Sequence, residues 1–450
     1  MIRRNDVMYV KRNIDKDLEK WKEEKYRKPI LVRGVRQCGK TSSVRMLGST
    51  FRYFAEINFE KQPSAARIFS GNIDIGRIIA ELEELVGVPI IDGETLLFLD
   101  ELQASPEAIT ALRYFYEERP GLHVIGAGSL LEFALKHIAS FGVGRISSLY
   151  MKPLSFREFL TALDEHILLK TLEDASFSSP LSNTAHDRLL YLYKVFLVVG
   201  GMPEAVSRFA ETKSMLQARM VQQDIIDTLF DDFGKYGKTG VDAETLRIIL
   251  RFILSRVGEQ ISFNKNSIPG LDSKTITKGL EIFVNAGLIY PVYASACSTL
   301  PISASINLKR MKPLFVDTGV YLNASSLDVS EFTIETDFRK LNIGNVCELS
   351  AGLELIKSFD ARVKPELFFW TRDTDGSNRG TAEVDYVIQK GSSIIPIEVK
   401  ARTQGGMKSL WSFLEKGTSN YGIRTSFENF SEIDKVKICP LYAIGGCRLF

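Results

Sequence analysis

The residues Gly34-Val35-Arg36-Gln37-Cys38-Gly39-Lys40-Thr41 have the spacing G-x-x-x-x-G-K-T directly after the apolar run Pro29-Ile30-Leu31-Val32. Glycines let such a backbone curl with its N–H groups inward, and a helix opening at Lys40 would turn its positive dipole end toward the same point. That chemistry holds phosphate. Gly34, Val35, Arg36, Gln37, Cys38, Gly39, Lys40, Thr41 and Ser42 would cradle ATP, Lys40 would reach the β- and γ-phosphates, and Thr41 would offer its hydroxyl to Mg2+. A second group, Thr95-Leu96-Leu97-Phe98-Leu99-Asp100-Glu101, is an apolar run ending in two acids. Asp100 is placed to hold Mg2+, and Glu101 to orient or deprotonate the attacking water. A third run, His123 to Ser129, ends in a hydroxyl that would sense the γ-phosphate or cap the following helix. Arg145 is a candidate cation for transition-state charge, although a lone loop arginine also reads as a surface ion pair.

A second constellation lies near the C-terminus: Glu348 on a helix, then Glu383-Val384-Asp385 and Glu398-Val399-Lys400. If Gly391-Ser392 is a two-residue hairpin turn of Gly-X type, counting outward sets Asp385 opposite Glu398. Side-chain alternation then puts Lys400 on the same face and turns Ile397 and Val399 to the core. Asp385, Glu398 and Glu348 would form an acidic cluster suited to Mg2+, with Lys400 orienting water or stabilising developing phosphorane charge. The alternative is an edge hairpin whose charges face solvent as Lys–Glu pairs.

Positioning these groups requires an ordered set of elements. Ile14, Leu18 and Trp21 have helical spacing, so residues 1 to about 25 read as a lead-in helix. Strands and helices then alternate, which predicts a parallel α/β core over 1–162 with its ligand at the carboxyl ends of the strands. Residues 163–237 read as a helical lid broken at Gly200-Gly201-Met202-Pro203. Residues 238–325 read as a winged-helix domain: an amphipathic helix over 244–257, a short helix opening at Ser262-Phe263-Asn264, a third helix capped by Ser273 and stopped by Gly287, and wing strands at Leu288 to Tyr293 and Pro313 to Val316. Lys274, Thr275, Thr277 and Lys278 on the third helix could enter a DNA groove, or that helix could pack on the lid or another protein. Residues 326–450 read as a C-terminal α/β domain.

Taken together, these pieces resemble bacterial and archaeal AAA-type P-loop ATPases with a C-terminal domain of unknown function that has nuclease-like features. The resemblance rests on Arg33 to Thr41, Leu99 to Gln103, Gly126 to Leu131, Gly144-Arg145, Lys152-Pro153-Leu154-Ser155-Phe156-Arg157-Glu158-Phe159, Gly200 to Ala205, Glu383 to Asp385 and Glu398 to Lys400. Cys38 stands where a valine is more usual, a neutral change if that side chain points away from the phosphates. The resemblance implies ATP and Mg2+ as cofactors, a fold related to the PD-(D/E)xK nucleases at the C-terminus, and a nucleic-acid-directed function. A nucleotide-gated interaction switch with an inactive nuclease-like domain is the competing reading. The intact trio Asp385, Glu398 and Lys400 favours the first.

Composition narrows the classes. The chain has 450 residues, 45% hydrophobic and 25% charged, which suits several soluble globular domains. A formal charge of +2 announces no global basic field for nucleic acid, so any DNA contact would be local. The five cysteines have no C-x-x-C spacing and only four histidines occur, which argues against a zinc site or disulfide framework. No run of about 18 apolar residues occurs and the first residues are polar, so a cytoplasmic protein without a membrane span is expected. A homo-oligomer, in which a neighbour supplies an arginine, is compatible with this pattern.

Overall fold

The computed structural model describes residues 3–4, 7–136, 144–234, 240–261, 267–325, 343–372, 382–401 and 406–446. Strands β1 (Arg3–Arg4) and β2 (Val7–Met8) pair antiparallel ahead of the first helix, which occupies Asn13–Glu23 rather than the whole lead-in. Arg12 opens that helix, its backbone N–H donating to Asp15 Oδ2 at 2.7 Å. Ile14, Leu18 and Trp21 are buried, as their spacing requires.

The core sheet contains β3 (Ile30–Arg33), β4 (Tyr53–Asn58), β5 (Thr95–Asp100), β6 (His123–Gly128) and β7 (Ser147–Tyr150). Their order is β4-β5-β6-β3-β7, and every pairing is parallel. Each residue of β5 and β6 is buried, the signature of central strands covered on both faces. Because the strands are parallel, the carboxyl ends of β3, β5 and β6 share one edge, and the chemically active sequences leave the sheet there.

Four helices follow, His166–Asp174, Asn183–Val199, Pro203–Thr212 and Met215–Asp232, in the region expected to be the lid. The break at Gly200-Gly201 is dictated by packing. A Cβ on Gly201 would lie 2.2 Å from Leu154 O, and the Gly201 N–H donates to Asp317 Oδ2 at 2.6 Å. The lid expectation ends at residue 237, and its last residues fall outside the described ones.

Helices Ala243–Leu254 and Ser273–Asn285 form where expected, but the cap of the second is Asp272, which accepts from Thr275 N at 2.7 Å. The short helix expected at Ser262-Phe263-Asn264 lies outside the described residues. The expected wing strands are β8 (Ile289–Ser295) and β9 (Ile306–Phe315), an antiparallel pair. They do not stand apart as a wing. β8 also pairs in parallel with β10 (Leu367–Thr371), and the sheet continues through β11 (Glu383–Lys390), β12 (Ser393–Val399), β13 (Gly422–Ser426), β14 (Ser431–Ile433) and β15 (Val436–Pro440). The order β14-β15-β13-β12-β11-β10-β8-β9 makes one mixed sheet of eight strands. The expected boundary at 325/326 therefore does not divide this sheet; β8 carries buried Val292 and Ala294 and would otherwise expose an apolar edge.

Candidate functional site

At the carboxyl end of β3 the chain turns through Gly34 to Gly39 into the helix Lys40–Gly48. A side chain at Gly34 is excluded, since its Cβ would approach Met151 O to 2.3 Å, and Gly39 has a left-handed φ of 97°. The cradle is thus closed by backbone on its core side. Cys38 is buried with its Sγ toward Met151 O, so it points into the protein, as its neutral reading required. Ser42 is exposed. Lys40 is buried and its ammonium donates to Gly34 O and Val35 O, both at 2.9 Å, which holds the cation over the loop.

The neighbouring strand ends supply the acids. Thr41 Oγ1 donates to Asp100 Oδ2 at 3.0 Å, and Asn58 Nδ2 donates to the same oxygen at 3.2 Å. Burial, and then the adjacent Glu101, push Asp100 above the ordinary carboxylate range. Glu101 has a left-handed φ of 53°, a strained conformation for a residue with a side chain. Gln103 Nε2 donates to Glu101 Oε2 at 2.7 Å and so fixes the direction of that carboxylate. Ser129 follows β6, which lies between β5 and β3, and it lines a small cavity with Val35, Arg36, Gln37 and Asp232. The structure thus brings together Lys40, Thr41, Asp100, Glu101 and Ser129 around one edge. Hard oxygen donors at Thr41 and Asp100 beside a glycine cradle fit Mg2+ with a phosphate chain.

Residues 26–160 match an AAA domain. In this stretch the glycine loop and the parallel five-stranded sheet form the core of a domain similar to AAA-type P-loop ATPases. Two domains of unknown function match residues 191–331 and 343–444. No curated protein matches the chain. Among solved structures, the Walker-type ATPase of Pyrococcus abyssi shares 17% identity, covering 71% of this chain and 97% of its own, with a TM-score of 0.44. The Aeropyrum pernix ORC1 protein in complex with DNA shares 12%, covering 72% and 94%, with a TM-score of 0.31. The Thermotoga maritima RuvB Holliday junction branch migration motor shares 15%, covering 67% and 92%, with a TM-score of 0.26. At these scores the likenesses carry no argument about substrate or partner.

Two expectations need correction. Arg145 precedes β7, whose first residue pairs with the start of β3, so it sits at the amino edge of the sheet, opposite the phosphate loop. There it ion-pairs with Glu117 near the end of the helix Pro106–Glu118 and cannot serve this AAA domain's own loop. The second correction concerns the C-terminal acids. The hairpin register is as expected: Lys390 pairs with Ser393 and Tyr386 with Ile397 across Gly391, whose φ of 58° suits the first central position of the turn. Yet the carboxylates are already engaged. Lys312 Nζ lies 2.8 Å from Glu348, 2.5 Å from Glu383 and 3.7 Å from Asp385. Asp385 Oδ2 accepts from Val399 N at 2.7 Å, and Glu398 pairs with Lys400 at 2.6 Å. Among the described residues no group of three or more His, Cys, Asp or Glu is arranged to hold a metal ion. The residues do not fit Mg2+ at this second place.

Long-range contacts with no signal in the sequence complete the AAA site. Arg36 forms a forked ion pair with Asp232 at 2.7 and 2.6 Å, tying the loop to the last turn of the helix Met215–Asp232. Buried Arg12 donates to Cys38 O at 3.0 Å and ion-pairs with Glu158 at 3.1 Å, joining the loop to the Lys152–Phe159 segment. Neither has a local sequence signal, because each partner is far along the chain. Asn58 and Gln103 could have been suspected from polar residues beside the acidic strand ends. A roomier cleft of about 470 Å³ lies near Lys152, Arg157 and Lys357 and contains none of the expected site residues. Lys274, Thr277 and Lys278 are exposed on their helix.

Proposed function

We propose that the chain is a Mg2+-dependent ATPase whose nucleotide state is read by the lid helices and passed to the C-terminal sheet. The observation that carries this reading is the convergence of Lys40, Thr41, Asp100 and Glu101 at one edge of the AAA domain. Lys40 exchanges its two loop carbonyls for β- and γ-phosphate oxygens of ATP. Thr41 and Asp100 would hold Mg2+, which would supply positive charge at the phosphate chain. Glu101, held by Gln103, accepts the proton of the attacking water, and Ser129, in the cavity beside Val35 to Gln37, senses the γ-phosphate. Arg36 and Asp232 make the lid sensitive to what fills the loop.

The test is phosphate release together with equilibrium binding. Glu101→Gln should retain ATP while turnover falls by about 10²–10⁴-fold, the usual worth of a general base. Turnover equal to wild type in that variant contradicts the assignment. Lys312 among the C-terminal acids favours the switch reading over a metal-dependent nuclease. Nucleic acid is a second reading, supported by the exposed Lys274, Thr277 and Lys278; replacing both lysines with Glu should weaken any duplex binding, and unchanged affinity argues against that surface.

A further inference from the structure

Lys312 belongs to β9, within the segment matched at 191–331, whereas the carboxylates around it belong to the segment matched at 343–444. Its side chain is 1% exposed. Glu348 comes from the helix Ile343–Ser358 and Glu383 and Asp385 from β11, so one ammonium gathers acids from two elements of a different segment. The ring of Phe369 on β10 closes the pocket 5.4 Å from the nitrogen. The remaining acceptors point elsewhere: Asp385 Oδ2 takes the Val399 N–H, while the two oxygens of Glu398 take Lys400 and the Leu410 N–H.

A divalent cation here would have to expel an ammonium that is covalently tethered and already desolvated. Of the acids it would then meet, Asp385 has one oxygen on the Val399 N–H and Glu398 has both on Lys400 and the Leu410 N–H. The exchange therefore releases only Glu348 and Glu383, short of the near-octahedral oxygen set that Mg2+ demands. The strand that carries it is fixed, since β9 pairs with β8 from Ile289–Phe315 to Ser295–Ile306. Removing Lys312 would leave three clustered acids without their counter-ion, so that they must repel one another or take up protons.

We propose that Lys312 is the resident cation of this cluster, and that the C-terminal domain is a non-cleaving unit whose acids clamp β9 to the helix Ile343–Ser358 and to β11. The sheet shared by the two segments is held at this point, so motion of β9 moves the C-terminal unit with it.

Two measurements on the full chain test this. First, Mn2+ is titrated against the Asp100→Asn protein, which lacks the loop's metal ligand, and free Mn2+ is counted by electron paramagnetic resonance. The expected result is no stoichiometric Mn2+ and no change on adding Asp385→Asn; one bound Mn2+ per chain that disappears with Asp385→Asn overturns the proposal. This arm leaves Lys312 itself in place and decides whether the cluster takes a metal. Second, Lys312→Met should lower Tm by roughly 5–10 °C, and adding Glu348→Gln and Glu383→Gln should recover at least half of that loss. An unchanged Tm in Lys312→Met overturns the clamp. Loss of ATP turnover in Lys40→Ala bears only on the AAA domain and leaves both outcomes standing.

Discussion

Lys40, Thr41, Asp100 and Glu101 were legible because each role depends on a local spacing, strand then loop then helix, or strand then acids. Arg145 was misread because its sequence position says nothing about which edge of a parallel sheet it occupies. Lys312 was invisible for a similar reason: its partners lie in other segments, and it stands just ahead of the run Pro313 to Val316 that reads as a wing strand. A pH dependence belongs to this scale. Burial first, and then Asp385, push Glu348 up to about 8, with Lys312 opposing. A carboxyl raised in the folded state contributes stability that is fully present below its unfolded value and is lost as pH rises through the folded one. Wild-type Tm, relative to Glu348→Gln, should therefore fall between pH 5 and pH 9. A difference that stays flat over this range contradicts a raised Glu348 carboxyl in the folded protein.

At the scale of elements, the core strands and the β11–β12 register, which runs from Lys390–Ser393 to Tyr386–Ile397, followed from patterning and a two-residue turn. What the pattern could not show was that β8 and β9 continue into the C-terminal sheet, since strand pairing over such separations leaves no periodic mark. The helix Met215–Asp232 was legible as a helix but not as a latch. Asp232 is buried and Arg36 half-exposed, so the pair contributes on the order of 1–2 kcal/mol to holding the helix end on the loop. In Asp232→Asn, amide hydrogens over the last turns of that helix should exchange roughly 5–30-fold faster in nucleotide-free protein. Exchange at the wild-type rate would show that the latch does not hold the lid.

Across the whole molecule, one contiguous hydrophobic cluster runs from Val10 through the core, lid and eight-stranded sheet to Ile444. Phe156, in the Lys152–Phe159 segment, packs on Tyr193 and Phe196 of the lid and on Tyr442 near the end of the described chain. Its N–H also donates to Glu354 Oε2 at 3.1 Å, so the segment joins three regions. Phe156→Ala should cost about 3–5 kcal/mol and shift unfolding of the AAA domain and the C-terminal sheet together. Loss of only one of the two signals, read by site-specific fluorescence, contradicts a shared core. Coupling of this kind gives ATP turnover a route to the C-terminal unit, and the turnover itself is the central claim. The most direct measurement is steady-state phosphate release by wild type and Lys40→Ala, each with and without Mg2+. The account predicts Mg2+-dependent release by wild type and at least a 10²-fold loss in Lys40→Ala; equal release by both proteins, or release indifferent to Mg2+, would contradict it.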